Sequence, residues 1–279
     1  SADIGLERVF PLLPLKLLSK SDQEHLSKAG LKGRVVLQNL SWAGTLSELN
    51  TRSHVPKRLQ FSASMDKVSG FLPGLGLPIS NATGAITLGA DDVHFKGISF
   101  TLGNSPIVLN GSIYRVHTDP EANLFLSVKA NAQDFQPLVQ HTNSAELVSK
   151  YLNQLSDLAG GISVTLSIKG PLKVPETKGV IVLDNFECKV NSFPLPLKKV
   201  TGKVRFRSTG ISTPEIKGNI GSSPFVLRGN YTDKDVDGSA ELTIQGSDLK
   251  RIEGFPKNCT VAGGLSCKSV VKGAPSDIS

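Results

Sequence analysis

The sequence predicts a mainly β protein, a curved antiparallel repeat sheet forming a taco-like β-groove, with a few short helices. Three observations predict this fold class. Polar and apolar residues alternate through most of the 279-residue chain, as they do in strands with one buried face. One stretch of the chain occurs twice without a gap, which is typical of extended, stacked architectures. The 27 glycines and 16 prolines divide the alternating segments into short runs separated by turns.

The repeat relates residues 77–113 to residues 195–231 at a constant offset of 118, with 11 identities in 37 positions. It keeps glycines, prolines and apolar positions, such as Gly103 with Gly221 and Val108 with Val226. Polar residues vary between the two copies. The repeat therefore preserves a backbone shape rather than a set of catalytic side chains.

The predicted elements begin with residues 3–29, where apolar residues fall near helical spacing and two prolines limit the segment to one or two short helices. From residue 31 the period changes to two and predicts strands. These cover 34–42, 58–65, 85–88, 93–95, 98–102, 106–110, 124–129, 162–170, 203–207 and 242–244. One helix is predicted over 144–158, with Leu147, Tyr151, Leu155 and Leu158 on one face and a stop at Gly160-Gly161.

The predicted domains follow this pattern. Residues 1–30 form an N-terminal helical segment, 31–159 a first β-groove repeat that includes the helix, and 160–262 a second repeat. Residues 263–279 start a truncated third repeat, because the pattern of 160–170 returns at 263–273. The chain is therefore expected to be a piece of a longer protein.

The alternation gives nearly every strand one apolar face, and a long antiparallel array can curl so that these faces line a trough. Such a trough suits acyl chains, since each buried CH₂ contributes about 0.8 kcal/mol. A closed β-sandwich core is equally compatible with the alternation. The candidate groove-lining residues are those the repeat keeps in pairs: Ile86, Leu88, Ile107, Leu109, Val204, Phe206, Phe225 and Leu227. A register error of one residue would reverse the assignment of any strand.

Composition argues against several function classes. The net charge is +7, but the basic residues are scattered and form no run longer than two, so nucleic acid is not an expected partner. The charge fits either a solubilising surface or a surface near anionic lipid headgroups. No histidine pair has ligand spacing, and the calcium-loop-like run 233–238 has Ile244 where a bidentate Glu is required. A hairpin turn explains that run, and no cofactor or metal is expected.

Other features leave alternatives open. Cys259 and Cys267 could pair across adjacent strands in an oxidising compartment, or all three cysteines could be unpaired. A hydrolase acting on envelope glycans would need an acid pair in a cleft, and the repeat holds no matched acids, so no enzyme is expected. The recurring Asn104-Ser105-Pro106 and Ser222-Ser223-Pro224 indicate a turn that sets register, in preference to a contact site at the groove rim.

Two phrases resemble the AsmA-like family, which includes TamB-type bridge-like lipid transfer proteins. Residues 170–183 (GPLKVPETKGVIVL) are similar to its phrase G-P-L-x-x-P-x-x-x-G-x-I-x-L, and residues 194–206 (PLPLKKVTGKVRF) to its P-L-x-x-L-x-G-x-I-x-F. Residues 6–42 resemble the YhdP branch, with a proline-containing apolar helix, Leu31-Lys32-Gly33 and a strand ending in Trp42.

The resemblance implies the periplasmic part of an inner-membrane-anchored cell-envelope protein. It implies a β-groove that shields phospholipid acyl chains during passage between the inner and outer membranes, in support of outer-membrane homeostasis. The implied partners are phospholipids, and both membranes through the full-length parent. The alternative is a structural or adhesive β-repeat module of the envelope with a closed core and no ligand.

Overall fold

The fold is described from a computed structural model that covers residues 2–5, 29–42, 59–72, 77–135, 154–191, 193–251 and 262–274. Fourteen strands account for most of these residues. The strands are β1 Ala2–Gly5, β2 Lys32–Trp42, β3 Leu59–Leu72, β4 Leu77–Leu88, β5 Asp92–Leu102, β6 Ser105–Tyr114, β7 Glu121–Asn131, β8 Leu155–Pro171, β9 Glu176–Val190, β10 Leu197–Arg207, β11 Gly210–Ile220, β12 Ser223–Thr232, β13 Val236–Gln245 and β14 Gly264–Gly273. A 3-10 helix, Ala132–Phe135, follows β7, and a one-turn helix, α1 (Gly246–Leu249), follows β13.

The strands occur in the sheet in the order in which they occur in the chain, with β1 and β14 at the two ends of that order. Pairing is antiparallel at each interface from β1 to β7 and from β9 to β14. Sequential antiparallel pairing needs only short hairpin connections, which the glycine-rich turns supply. The prediction of a mainly β, antiparallel repeat sheet with little helix is confirmed.

The chain divides into two compact units. The first comprises Ser1–Val128 with Leu166–Glu176, and the second comprises Lys129–Thr165 with Thr177–Ser279. The described part of the first unit includes β1 to β6 and most of β7, and that of the second includes β10 to β14 and nearly all of β9. The predicted domain boundaries stay predictions.

The sequence repeat is also a structural repeat. β5 and β6 have the same bounds as β11 and β12 after a shift of 118 residues. The β5–β6 register shifts between Phe95 and Ile98, and the β11–β12 register shifts at the matching Thr213 and Ile216. Asn81 and Lys199, also 118 apart, both have positive φ, 54° and 52°. The repeated sequence therefore encodes the irregularities of the strands as well as their lengths.

The core of the second unit is built on one side of its strands. Ala132, Leu158 and Cys188 are buried together, and five partly buried apolar side chains pack against them. Burial raises the pKa of the Cys188 thiol, because an apolar setting disfavours the thiolate. Cys188 is therefore a structural residue. Cys259 lies outside the described residues, and Cys267 is an exposed free cysteine.

The predicted helix over 3–29 is wrong at its start, where Asp3, Ile4 and Gly5 belong to β1 and pair with residues of β2. Residues 6–28 lie outside the described residues, and Ala29, the last residue of the prediction, is helical. Over the three residues 3–5, apolar spacing does not distinguish a helix from a strand. Antiparallel pairing with β2 over Ala2–Gly5 holds these residues as a strand.

The predicted helix over 144–158 is wrong at its end, because Leu155 and Leu158 lie in β8. Residues 144–153 lie outside the described residues. Asp157 has a φ of 52° and interrupts the regular alternation of the strand. Leu155 and Leu158 consequently contact the same buried cluster although they are three residues apart. That spacing imitates a helix, and it is the reason for the error.

Candidate functional site

In the first unit, backbone register assigns four of the candidate groove residues to one face of the sheet. Ile86 and Leu88 on β4 stand opposite Phe95 and Val93 on β5. Ile107 and Leu109 on β6 stand opposite Phe100 and Ile98 on one side, and Val128 and Leu126 on the other. Directly opposed residues share a face. The apolar face of the first unit is defined by the following side chains: Met65, Val68, Ile79, Ala82, Ile86, Leu88, Val93, Phe95, Ile98, Phe100, Leu102, Ile107, Leu109, Leu124, Leu126 and Val128.

The second unit has an equivalent apolar face with the other four candidates. Val204 stands opposite Ile181 on β9, and Phe206 stands opposite Ile211 on β11. Phe225 and Leu227 on β12 stand opposite Leu242 and Ala240 on β13. The apolar face of the second unit is defined by the following side chains: Ile181, Leu183, Val200, Val204, Phe206, Ile211, Ile216, Ile220, Phe225, Leu227, Tyr231, Ala240, Leu242, Leu265 and Val271.

Single-residue bulges keep each apolar face continuous. In a regular strand, one inserted residue would move every later side chain to the opposite face. A bulge absorbs the inserted residue, so the apolar side chains before and after it stay on the same face. In β4 the inserted residue is Asn81, so that Ile79 and Ala82 both belong to the apolar face. In β5 the shift between Phe95 and Ile98 has the same effect.

The opposite face of the first unit is polar, and its side chains bond across the strands. Ser62 and Thr87 hydroxyl oxygens are 3.2 Å apart, and those of Thr83 and Ser99 are 2.9 Å apart. The polar face of the second unit carries ion pairs. Arg228 Nη2 lies 2.7 Å from Glu215 Oε2, and Lys268 Nζ lies 3.0 Å from Glu241 Oε1. The hydrogen bond and charge of Lys268 hold the pKa of Glu241 below its ordinary value.

The apolar faces are only partly covered. Leu88 is 7% exposed, whereas Leu227 is 41% exposed, and the other six candidates are half-buried. Among the described elements, neighbouring strands contact each other, α1 contacts β13, and the 3-10 helix packs against β8 and β9 through Ala132. The described strands of each unit therefore form a single layer, with half-buried apolar side chains on one side and polar side chains on the other. Such a face can take up further apolar groups.

One functional-looking group was missed by the sequence analysis. His94 Nδ1 lies 2.6 Å from Ser112 Oγ, and His94 Nε2 lies 2.7 Å from Asp92 Oδ2. The arrangement holds the residue types of a serine hydrolase triad on the polar face. β6 is paired on both sides, so its backbone N–H groups are used in the ladder and cannot form an oxyanion hole beside Ser112. Asp91 lies in the turn before β5, and Asp92 is the first residue of that strand.

A second group missed by the sequence analysis organises the turn between β11 and β12. Asp248 Oδ2 accepts hydrogen bonds from Ser222 N at 2.8 Å, Ser222 Oγ at 2.8 Å and Ser223 Oγ at 2.6 Å. Burial on its own would raise the pKa of Asp248, but these hydrogen bonds outweigh it and the pKa lies below its ordinary value. The recurring Ser-Pro pattern thus marks a structural turn, as predicted, but nothing in the sequence pointed to Asp248 as its partner.

The hairpin reading of residues 233–238 is confirmed. Thr232 N donates to Asp235 O at 2.8 Å, and the Thr232 hydroxyl accepts from Asp235 N at 3.0 Å. These bonds close the turn between β12 and β13. In the described ranges, no three His, Cys, Asp or Glu side chains are grouped so as to hold a metal ion.

The comparison with protein families decides the family. A family model described as YhdP protein matches residues 3–273. The chain belongs to the YhdP family. The match covers almost all of the chain and confirms the resemblance drawn from residues 170–183 and 194–206. No curated protein and no solved structure matches the chain. Within the described part of this YhdP-family chain, no helix is both long and apolar enough to span a membrane.

Proposed function

We propose that this chain is a non-enzymatic lipid-binding segment whose apolar faces shield phospholipid acyl chains. The main support is the two-faced arrangement of each unit. Half-buried apolar side chains lie on one face of a single layer of strands, and polar side chains lie on the other face. Membership of the YhdP family supports the proposal. Each CH₂ group of an acyl chain that leaves water for such a face gains about 0.8 kcal/mol.

The proposal extends to the place and purpose of binding. The segment works in the periplasm as part of an inner-membrane-anchored envelope protein, and carries phospholipid between the inner and outer membranes for outer-membrane homeostasis. The apolar faces supply the path, and the polar faces keep the segment in water. Phospholipids and the two membranes are the proposed partners.

Charged substitutions on the apolar face provide the test. Leu109→Asp and Leu227→Asp each place a carboxylate on the proposed acyl path, where burial without a partner costs several kcal/mol. Phospholipid bound to the purified chain, measured by native mass spectrometry and lipid extraction, is expected to fall at least tenfold in each variant.

The chain offers matched controls in the adjacent residues. Val108 and Val226 precede Leu109 and Leu227 on the same strands and belong to the opposite face. Val108→Asp and Val226→Asp are expected to keep wild-type lipid content. Equal lipid in all four folded variants would overturn the assignment of the faces. A wild-type chain that is folded and takes up no lipid would favour a structural module with a closed core.

A further inference from the structure

We propose that a cavity at one end of β10, β11 and β12 binds the phosphate of a phospholipid headgroup. The cavity has a volume of about 350 Å³ and is named the hairpin cavity here. Arg205 and Arg207 line it from β10, Ser212 from β11, and Asn230 and Tyr231 from β12. The inference rests on the proposed function for the source of the phosphate, and on the cavity itself for the chemistry.

The charge of the hairpin cavity favours an anion. Two guanidinium groups line it and no carboxylate does. Among the described residues, neither Arg205 nor Arg207 has a carboxylate within ion-pair distance, whereas Arg228 on the same face is bonded to Glu215. A planar guanidinium matches two oxygens of a phosphate at once, so a pair of them forms a strong site for this group.

Register adds further positive charge beside the cavity. Lys178 on β9 stands directly opposite Arg207, and Lys203 is on the same face two residues before Arg205. Like charges placed opposite each other across two strands repel. A bound anion relieves that repulsion, so the cost of keeping four cations together is offset when the phosphate is present.

Neutral polar groups complete the anion side of the cavity. Ser212 stands opposite Arg205, and Asn230 stands opposite Ser212 on the next strand. The Ser212 hydroxyl and the Asn230 amide can each donate a hydrogen bond to a phosphate oxygen. The hydroxyl of Thr232 is already used in the β12–β13 turn and is left out of the site.

The same cavity also contacts the apolar face of the second unit. Ile211 and Tyr231 line it, oppose each other across β11 and β12, and belong to the apolar face with Phe206. Ile211 is 52% exposed and Tyr231 is 47% exposed. The end of the hairpin thus brings an anion site and an apolar surface together. That combination suits an amphiphile with a phosphate at one end of an acyl chain.

The first copy of the repeat provides an internal comparison. The positions 118 residues before Arg205 and Arg207 are Thr87 and Gly89, and those before Thr209 and Gly210 are Asp91 and Asp92. The strand that matches β10 is β4, which forms although neither matched position holds an arginine, so the repeated backbone does not require the two arginines. The two basic positions of the second copy are neutral in the first, where two acidic residues lie close by in the sequence, which confines the phosphate site to the second copy.

Three short-chain ligands separate the headgroup from the acyl chain. Calorimetry on the whole 279-residue chain uses dihexanoyl phosphatidylglycerol, dihexanoylglycerol, which lacks the phosphate, and glycerol 3-phosphate, which lacks the chains. In the wild type, phosphatidylglycerol is expected to bind at least tenfold more tightly than either of the others. Glycerol 3-phosphate binding as tightly as the lipid would overturn the assignment to a headgroup in favour of a free phosphate ester.

The variant is Arg205→Gln with Arg207→Gln, and the matched control is Lys268→Gln with Lys272→Gln. The control removes the same charge from the same unit, but its lysines already lie near Glu241 and Asp237. The arginine variant is expected to lose at least tenfold in affinity for phosphatidylglycerol and to keep its affinity for dihexanoylglycerol. The control is expected to stay within about twofold of the wild type because surface ion pairs contribute little.

The outcomes separate this inference from the proposed function. Wild-type affinity for phosphatidylglycerol in the arginine variant would overturn the headgroup site and leave the lipid-binding faces standing. Failure of the folded wild type to bind either lipid would overturn both. An equal loss in the arginine variant and the lysine control would show general charge attraction and would also overturn the site. Circular dichroism confirms the fold of each variant.

Discussion

Asp248 shows how one buried carboxylate can fix a turn. Three donors from Ser222 and Ser223 converge on its Oδ2 atom, and the Asp248 residue is only 2% exposed. Hydrogen bonds to a charged acceptor are the stronger kind, at about 1.5–3 kcal/mol each. The turn between β11 and β12 is therefore held by a side chain that lies 25 residues beyond it.

Replacing Asp248 with Asn is expected to lower the free energy of unfolding by about 1–3 kcal/mol, because the amide is a weaker acceptor and brings donors of its own. Urea unfolding followed by circular dichroism measures the change. Asp237→Asn is the control, because the Asp237 carboxylate is exposed and lies as far as 3.8 Å from Lys272 Nζ. This substitution is expected to lower the free energy of unfolding by less than about 1 kcal/mol. Equal costs would contradict the role given to Asp248.

The effect of Asp248→Asn depends on pH in a defined direction. The pKa of Asp248 is lower in the folded chain than its ordinary value, so the unfolded chain binds a proton more readily. Its contribution to stability is full above the unfolded pKa of about 3.9 and is lost as pH falls through the folded pKa. The difference between wild type and variant is therefore expected to shrink below pH of about 4.

At the scale of the element, bulges separate what the sequence could predict from what it could not. The alternation Lys203-Val204-Arg205-Phe206-Arg207 has no bulge, and register confirms that its apolar and basic residues lie on opposite faces. Inserted residues such as Asn81 and Asp157 disturb the period of two, and the second of these produced a false helix. The turn of Ser222 was predicted, whereas Asp248 was not, because its distance along the chain leaves no local pattern.

Gly84 is a position where a bulged strand requires glycine. Its φ is +119°, and a Cβ atom there would lie 2.5 Å from the backbone oxygen of Gly97. Gly84→Ala is expected to lower the free energy of unfolding by about 1–3 kcal/mol through strain and this contact. Urea unfolding measures it.

Gly229 serves as the control for Gly84. An added Cβ atom at Gly229 would meet its nearest neighbour at 3.5 Å, an ordinary contact. Gly229→Ala is expected to be neutral or slightly stabilising, since alanine restricts the unfolded chain. An unchanged stability in Gly84→Ala would mean that the β4–β5 interface yields more easily than its geometry indicates.

At the scale of the whole molecule, the repeat explains how a chain can be uniform in shape and vary in chemistry. β5 and β6 return as β11 and β12 with the same bounds and bulges. The apolar positions persist between copies, whereas the polar positions differ. Asp91-Asp92 of the first copy correspond to Thr209-Gly210 of the second, which follow Arg205 and Arg207 in the sequence. Under the proposed function, copying extends the apolar path, and the proposed headgroup site belongs to the second copy.

Sequence alone was sufficient for the strand-rich architecture, the repeat and the family, because these depend on patterns spread over many residues. Which face each candidate occupies needed the register, since a shift of one residue reverses it. The hairpin cavity could not be predicted from the sequence, because it forms only where three strands come together. Its arginines were visible in the sequence as a basic alternation, but their position beside Ile211 and Tyr231 was not.

Site-specific photo-cross-linking along β6 is the most direct test of the central claim, that one face of the sheet holds acyl chains. A photoreactive residue is placed in turn at Ile107, Val108, Leu109 and Asn110, and phospholipid attached to the chain is measured by mass spectrometry. The register predicts lipid adducts at Ile107 and Leu109 and none at Val108 and Asn110. Adducts at all four positions, or at the polar pair alone, would contradict the account.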